Sequence, residues 1–211
     1  MFGNFLGKLR DAVARAAEDR NTLRRTVRGL PVVVVNTRPD IDSEHVLSRL
    51  DEALGLIERY QPWHFRRFHR DFAEIWVRRY PCRGAYISQY RACLVELTFT
   101  VNPDFSTAQV AATILHEAMH ARLDRRCIEH TPANAAKHER FCRRAEIEFG
   151  RAVPGGAPIV ARALATLGAP DEDVAPSIDW DVAAQRVADV DRAALERSQP
   201  LGRNRGLERR D

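Results

Sequence analysis

Lysine is almost missing from this chain. Of its 33 basic residues only Lys8 and Lys137 are lysine, and the rest are arginine. The arginines are spread along the whole length, whereas a nucleic-acid surface masses its charge in one patch or stripe, so no nucleic-acid partner is expected. Cysteine is scarce too. Cys82, Cys93, Cys127 and Cys142 form no CxxC pair, which removes the spacing of a cysteine-based structural zinc site. Long apolar runs are absent, and nothing approaches the roughly 18 residues of a membrane span. Arg10, Asp11 and Arg15 break the N-terminus where the apolar core of a secretory signal would lie. Free thiols and a cytoplasmic location are the resulting expectations.

What is present suits an ordinary folded domain. The chain has 211 residues, 45% hydrophobic and 29% charged, with a net charge of +4. Enough apolar material exists for one core, with room for an extra terminal segment. The pattern divides the chain into an N-terminal helix within 1–30, a main domain over 31–168, and a tail region over 169–211. That last region reads as an acidic connector (Asp171, Glu172, Asp173, Asp179), a short helix over 181–197 and a flexible tail from Gln199.

Within the first 30 residues, Phe5, Leu6, Leu9, Val13 and Ala16 recur at helical spacing and predict a helix over 4–28. Val32 to Val35 is a β-branched run that reads as a buried strand. Asp42 or Ser43 caps a helix over 42–60, with Val46, Leu47, Leu50, Leu54 and Ile57 as its apolar stripe. A third helix is expected from Trp63 to Tyr80. Residues 85–101 read as two strands or a bent hairpin, and Asn102-Pro103-Asp104 as a turn. Ser106 or Thr107 opens a helix to about Arg125. Further helices are expected over 133–152 and 158–167.

The chemistry lies in the helix after that turn. His116-Glu117-Ala118-Met119-His120 is a His-Glu-x-x-His motif. Positions i and i+4 of a helix share one face, so two imidazoles can converge on one metal ion. Glu117 stands one step round the helix, placed to take a proton from water activated by zinc. Ile114, Leu115, Ala118 and Met119 surround the motif with apolar residues.

These residues resemble the zincin metallopeptidases over roughly 85–150. The resemblance implies an α+β fold: a compact zincin-like domain with a small mixed sheet packed on the active-site helix. It also implies an edge strand that holds substrate, and Leu94 to Val101 is the segment placed to resemble it. A third ligand must come from elsewhere. Leu123 and Arg126 stand where the metzincin branch needs Gly and His, so that branch is excluded. The gluzincin branch takes a Glu from a second helix, and Glu139 fits, with the 18 residues 121–138 intervening. His138, His130 and Glu146 are rivals for that place. Asp124 is a candidate for orienting a ligand histidine, and Tyr86, Tyr90, His130 or Arg143 for stabilising an oxyanion. Cys127 and Cys142 read as buried small hydrophobes, or as redox-sensitive or inhibitory ligands.

The expectation is therefore a zinc-dependent metallopeptidase acting on a peptide or protein substrate. His116, His120 and Glu139 hold Zn²⁺, and Glu117 is the general base. The alternative is a metal-binding regulatory or interaction protein with the same fold and no physiological protease activity. A weaker third idea is nucleic-acid association through Arg66, Arg67, Arg70, Arg78 and Arg79.

Overall fold

The computed structural model describes residues 21–176 and 178–198. The expected helix over 4–20 and the tail from Gln199 lie outside them. Among the described residues the fold is α+β, as expected: one five-stranded mixed sheet with helices packed against it. No helix among them is long and apolar enough to cross a membrane.

The sheet begins where a helix was expected. β1 (Thr22–Val27) pairs antiparallel with β2 (Leu30–Val35). The turn between them is Arg28-Gly29, with φ of 48° and 80°. Two successive positive φ values are what a tight two-residue hairpin demands, and glycine meets one of them without strain. The sequence boundary at residue 30 therefore falls inside a hairpin.

α1 (Ser43–Tyr60) buries Val46, Leu47, Leu50, Ala53, Leu54 and Ile57, and the Asp42 carboxylate accepts from the Glu44 N–H at its start. Such a cap stabilises by about 1 kcal/mol. α2 (Pro62–Asp71) is shorter than the helix expected over 63–80. Phe72 turns extended, and Glu74–Arg78 continues as β3. Glu74, Ile75, Trp76 and Val77 favour a strand, because Ile75 and Trp76 pack on opposite sheet faces.

β4 (Gly84–Ile87) and β5 (Ala92–Glu96) form a second antiparallel hairpin around a short 3₁₀ turn at Ser88–Tyr90. The full order is β1-β2-β3-β5-β4, with β2/β3 and β3/β5 parallel. This corrects the expected edge strand. β5 is interior, and Leu97–Val101 is a short helix, α3. The cause is Glu96, whose carboxylate accepts from Phe99 N–H at 2.6 Å and from the Thr98 hydroxyl at 2.7 Å, turning the chain out of the sheet. β4 is the edge.

α4 (Thr107–Asp124) opens with a capping box between Ser106 and Gln109 and is buried on nearly every side. α5 (Ala135–Ala152) and α6 (Ala157–Leu167) pack in succession beside it. One sheet face, with Val32, Val34, Ile75, Val77, Cys93 and Val95, joins the main core with α1 and α4. The opposite face buries Val33, Val35, Trp76 and Leu94.

The region after 168 is tied to this body. Val174 of α7 (Asp171–Val174) is buried, and Arg140 donates to Asp171 at 2.6 Å. Trp180, at the start of α8 (Trp180–Ser198), packs on the second sheet face. Asp191 of α8 accepts from Arg38 at 3.0 Å and from Arg79 at 2.8 Å. Arg79 also bonds Glu96. These pairings engage Arg79, and Arg67 lies over the Trp63 ring, so two of the five arginines that nucleic-acid association would use are engaged within the fold.

A buried polar link joins α4 to α2. Arg122 donates to Asp71 at 2.8 Å and to His64 Nδ1 at 2.5 Å. Burial, then the charges of Arg122 and Arg67, push the His64 pKa down to about 4. The folded protein thus holds His64 neutral, while the unfolded chain takes up its proton near pH 6.5. Stability must fall as pH drops from about 6.5 to about 4, because the unfolded state binds more protons across that window. Urea midpoints at pH 7 and pH 4.5 should show His64→Gln losing less on acidification than the wild type.

Candidate metal centre

α4 supplies three of the motif side chains from one buried stretch. His116 and Glu117 are both 6% exposed. The two Nε2 atoms of His116 and His120 lie 3.1 Å apart. α5 faces them with a stripe at helical spacing: Glu139, Cys142 and Glu146. Glu139 places one carboxylate oxygen 3.2 Å from His116 Nε2 and the other 3.2 Å from His120 Nε2.

Those separations bear on a metal. Zinc holds nitrogen and oxygen donors at about 2.0–2.1 Å, so the edge of its tetrahedron is about 3.3 Å. The two ring nitrogens, 3.1 Å apart and each 3.2 Å from a different oxygen of the same carboxylate, are close to that spacing, so both rings and Glu139 fit around one zinc ion. The donor chemistry fits as well, since two imidazoles and a carboxylate form a common catalytic zinc set.

Electrostatics agree with the geometry. Burial works against a charged Glu139, yet hydrogen bonds from His116 and His120 overcome it and hold its pKa far below the usual carboxylate range. Burial likewise opposes a charged His116, and hydrogen bonds to Glu139 and Glu146 outweigh it, so its pKa is raised. His116 is thus held protonated against an ionised Glu139, at a point where a metal could take the proton's place. Glu117 differs. Its pKa is raised, first by burial, against the lowering charges of His116 and His120. A raised carboxylate is the better proton acceptor near neutral pH.

The chain matches no family model, and no curated protein and no solved structure is significantly similar to it. The reading of this centre rests on its own residues.

The rivals for the third position separate clearly. Glu146 bonds the other nitrogen of His116, Nδ1, at 2.7 Å. It thus orients the ring from behind. Glu146 is 1% exposed and is itself held by Arg143 at 2.6 Å and Arg162 at 3.1 Å. Its burial penalty is outweighed by the His116 hydrogen bond and the charges of His116, Arg143 and Arg162, so it stays ionised. His138 is buried, with its ring edge-on to His130 at 5.2 Å, and His130 lies edge-on to His120 at 5.9 Å. Neither makes the close approach to both histidines that Glu139 makes.

Asp124 does not orient a ligand histidine. Its carboxylate accepts from the Tyr86 hydroxyl at 2.9 Å, tying β4 to the end of α4. Tyr90 stacks on Trp76, on the sheet face away from α4. Of the oxyanion candidates, His130 and Arg143 remain beside the centre. Cys127 is exposed.

Sequence reasoning missed one feature and left a second open. The first is Gly84, which opens the edge strand β4. A Cβ there would meet Thr113 Cγ2 at 2.6 Å and Glu117 Oε1 at 2.9 Å. Only glycine lets the edge strand press this closely against the His116–His120 turn of α4. The second is Cys142, fully buried. Its sulfur and one ring nitrogen each from His116 and His120 lie within 4.8 Å of one another. The signal was present in the sequence as the i, i+3 spacing from Glu139, but it carries meaning only once α5 is known to face α4.

Glu146 gives the test of this arrangement. Partners that orient a ligand histidine typically contribute about 10–100-fold in metal affinity. Glu146→Gln should weaken zinc binding by about that factor, read by competition with a chromophoric chelator, while Arg140→Gln, remote from the ring, should not.

Proposed function

We propose that this protein is a zinc-dependent peptidase. His116, His120 and Glu139 hold the metal, and Glu117 is the general base. The observation that carries the reading is the convergence of three donor groups at 3.1–3.2 Å, with a buried acid one residue away that is not among them.

Zinc bound there supplies Lewis acidity, polarising a carbonyl and lowering the pKa of water to about 7. The protein's own groups do the rest. Glu117, with its raised pKa, takes a proton from the attacking water at a carboxylate oxygen and delivers it to the departing amine. Glu146 fixes the His116 ring through Nδ1, leaving Nε2 to face the centre. Arg143 and Arg162 neutralise Glu146, so its charge does not compete for the catalytic proton.

A peptide substrate is supported by the edge strand. β4 pairs with β5 on one side and has no strand partner on the other among the described residues. Free backbone groups on such an edge bind an extended chain by adding it as a further strand. Gly84 puts the start of that edge against Glu117.

One observation favours a second reading, a metal-binding regulatory protein without hydrolysis. Cys142 offers a further donor, and a zinc ion with four protein ligands has no place for water.

Cleavage of casein or a peptide library, run beside elemental analysis, separates the two. Glu117→Gln should keep one zinc per chain and lose about 10²–10⁴-fold in turnover. Glu139→Ala should lose the metal and the activity together. A Glu117→Gln protein as active as the wild type would sink the mechanism. Zinc-loaded protein that cleaves nothing, as wild type and as Cys142→Ala alike, would favour the regulatory reading.

A further inference from the structure

The position of Cys142 goes beyond the three-ligand site. It lies on the stripe of α5 that carries Glu139 three residues earlier and Glu146 four residues later. Both neighbours on that stripe already reach His116. The Cys142 side chain is 0% exposed and sits among Met119, Phe141 and Ala145. Its sulfur lies within 4.8 Å of a ring nitrogen of His116 and of His120. A tetrahedral zinc site with Zn–S of about 2.3 Å and Zn–N of about 2.0 Å places sulfur and nitrogen about 3.6 Å apart. Each sulfur–nitrogen separation therefore exceeds that of a bound ligand by little more than an ångström at most.

We infer that Cys142 is a fourth, displaceable metal ligand that holds the centre closed. The inference rests on the metal centre proposed above. As Sγ takes up the metal, the thiol proton leaves to solvent; nothing is oxidised or reduced. A metal-bound thiol is deprotonated outright, whatever its pKa in the free protein. With two nitrogens, one carboxylate and one thiolate, the ligand set is complete, and Glu117 has no water to act on. Hydrolysis then requires the thiolate to give up its place. Latency is built into α5 itself, without a separate inhibitory segment, and the thiolate tilts the site toward softer metals.

Cobalt substitution tests this without relying on turnover. The full-length protein is stripped with chelator and reloaded with one equivalent of Co²⁺. Cobalt in a His and carboxylate site absorbs in the visible, and a thiolate ligand adds an intense near-ultraviolet charge-transfer band. The wild type should show both. Cys142→Ala should keep the visible absorption and lose the charge-transfer band. Cys142→Ser, nearly isosteric, should also lose it, which guards against a variant that fails to fold around the missing atom. Peptidase turnover per bound metal should rise in Cys142→Ala. Visible absorption without the charge-transfer band in the wild type would overturn the inference and leave the three-ligand centre intact. So would a band that survives in both Cys142 variants, since the sulfur would then come from another cysteine. Absence of any cobalt absorption, in wild type and variants alike, would overturn the metal centre itself and this inference with it.

Discussion

A carboxylate taken out of water needs a proton, a cation or several hydrogen-bond donors, and here three lie in one helix-to-helix interface, two of them buried and the third, Glu139, partly so. Glu117 comes from α4, and Glu139 and Glu146 from α5. The burial of an unpaired charge costs several kcal/mol even after relaxation. That constraint accounts for most of what surrounds them. His116 stands between Glu139 and Glu146 and bonds both. His120 pairs with Glu139, while Arg143 and Arg162 close around Glu146. Among the described residues Glu117 makes no ion pair of this kind; the charges of His116 and His120 offset its burial only in part, and its pKa rises. The least compensated acid is the one suited to moving a proton.

The same constraint sets the roles of the two outer carboxylates. Both are ionised, but they approach different nitrogens of one ring. Glu139 faces Nε2, on the side shared with His120. Glu146 faces Nδ1 and is saturated by arginines. A carboxylate already satisfied by three cationic groups is a poor metal ligand but a firm anchor for a tautomer. Glu139, with its oxygens divided between two histidines, is where a metal can replace protons.

The remainder of the fold serves to bring α4 and α5 to the sheet edge. α4 is apolar on most sides because it sits between the sheet and the flanking helices α1 and α5. Glu96 ends β5 and redirects the chain through α3 to the start of α4. Gly84 lets β4 lie against Thr113 and Glu117. Asp191 fastens α8 to the sheet through Arg38 and Arg79, so the acidic C-terminal region is part of the same body.

By itself the sequence determined the local features. Five residues placed two imidazoles and an acid on one turn, because helical spacing is a property of the backbone. The α+β class, the stripe of α1, the cap at Asp42, the capped start of α4 and the extents of α5 and α6 were equally legible, since each depends on neighbours within one or two turns. The elements misread were those in which tertiary pairing overrides local pattern. Thr22–Val27 falls within the helix that the spacing of Phe5 to Ala16 predicts, and is a strand because β2 lies beside it. Glu74–Arg78 is a strand because β2 and β5 flank it, though Ile75 and Trp76 continue the apolar stripe of α2. Leu97–Val101 alternates like a strand, but Glu96 caps it into a helix. At the site, tertiary structure decided which acid faces which nitrogen, which strand is the edge, and that Cys142 joins the histidines. Those facts depend on how one helix face meets another, and no spacing within a single helix encodes the rotation of its neighbour.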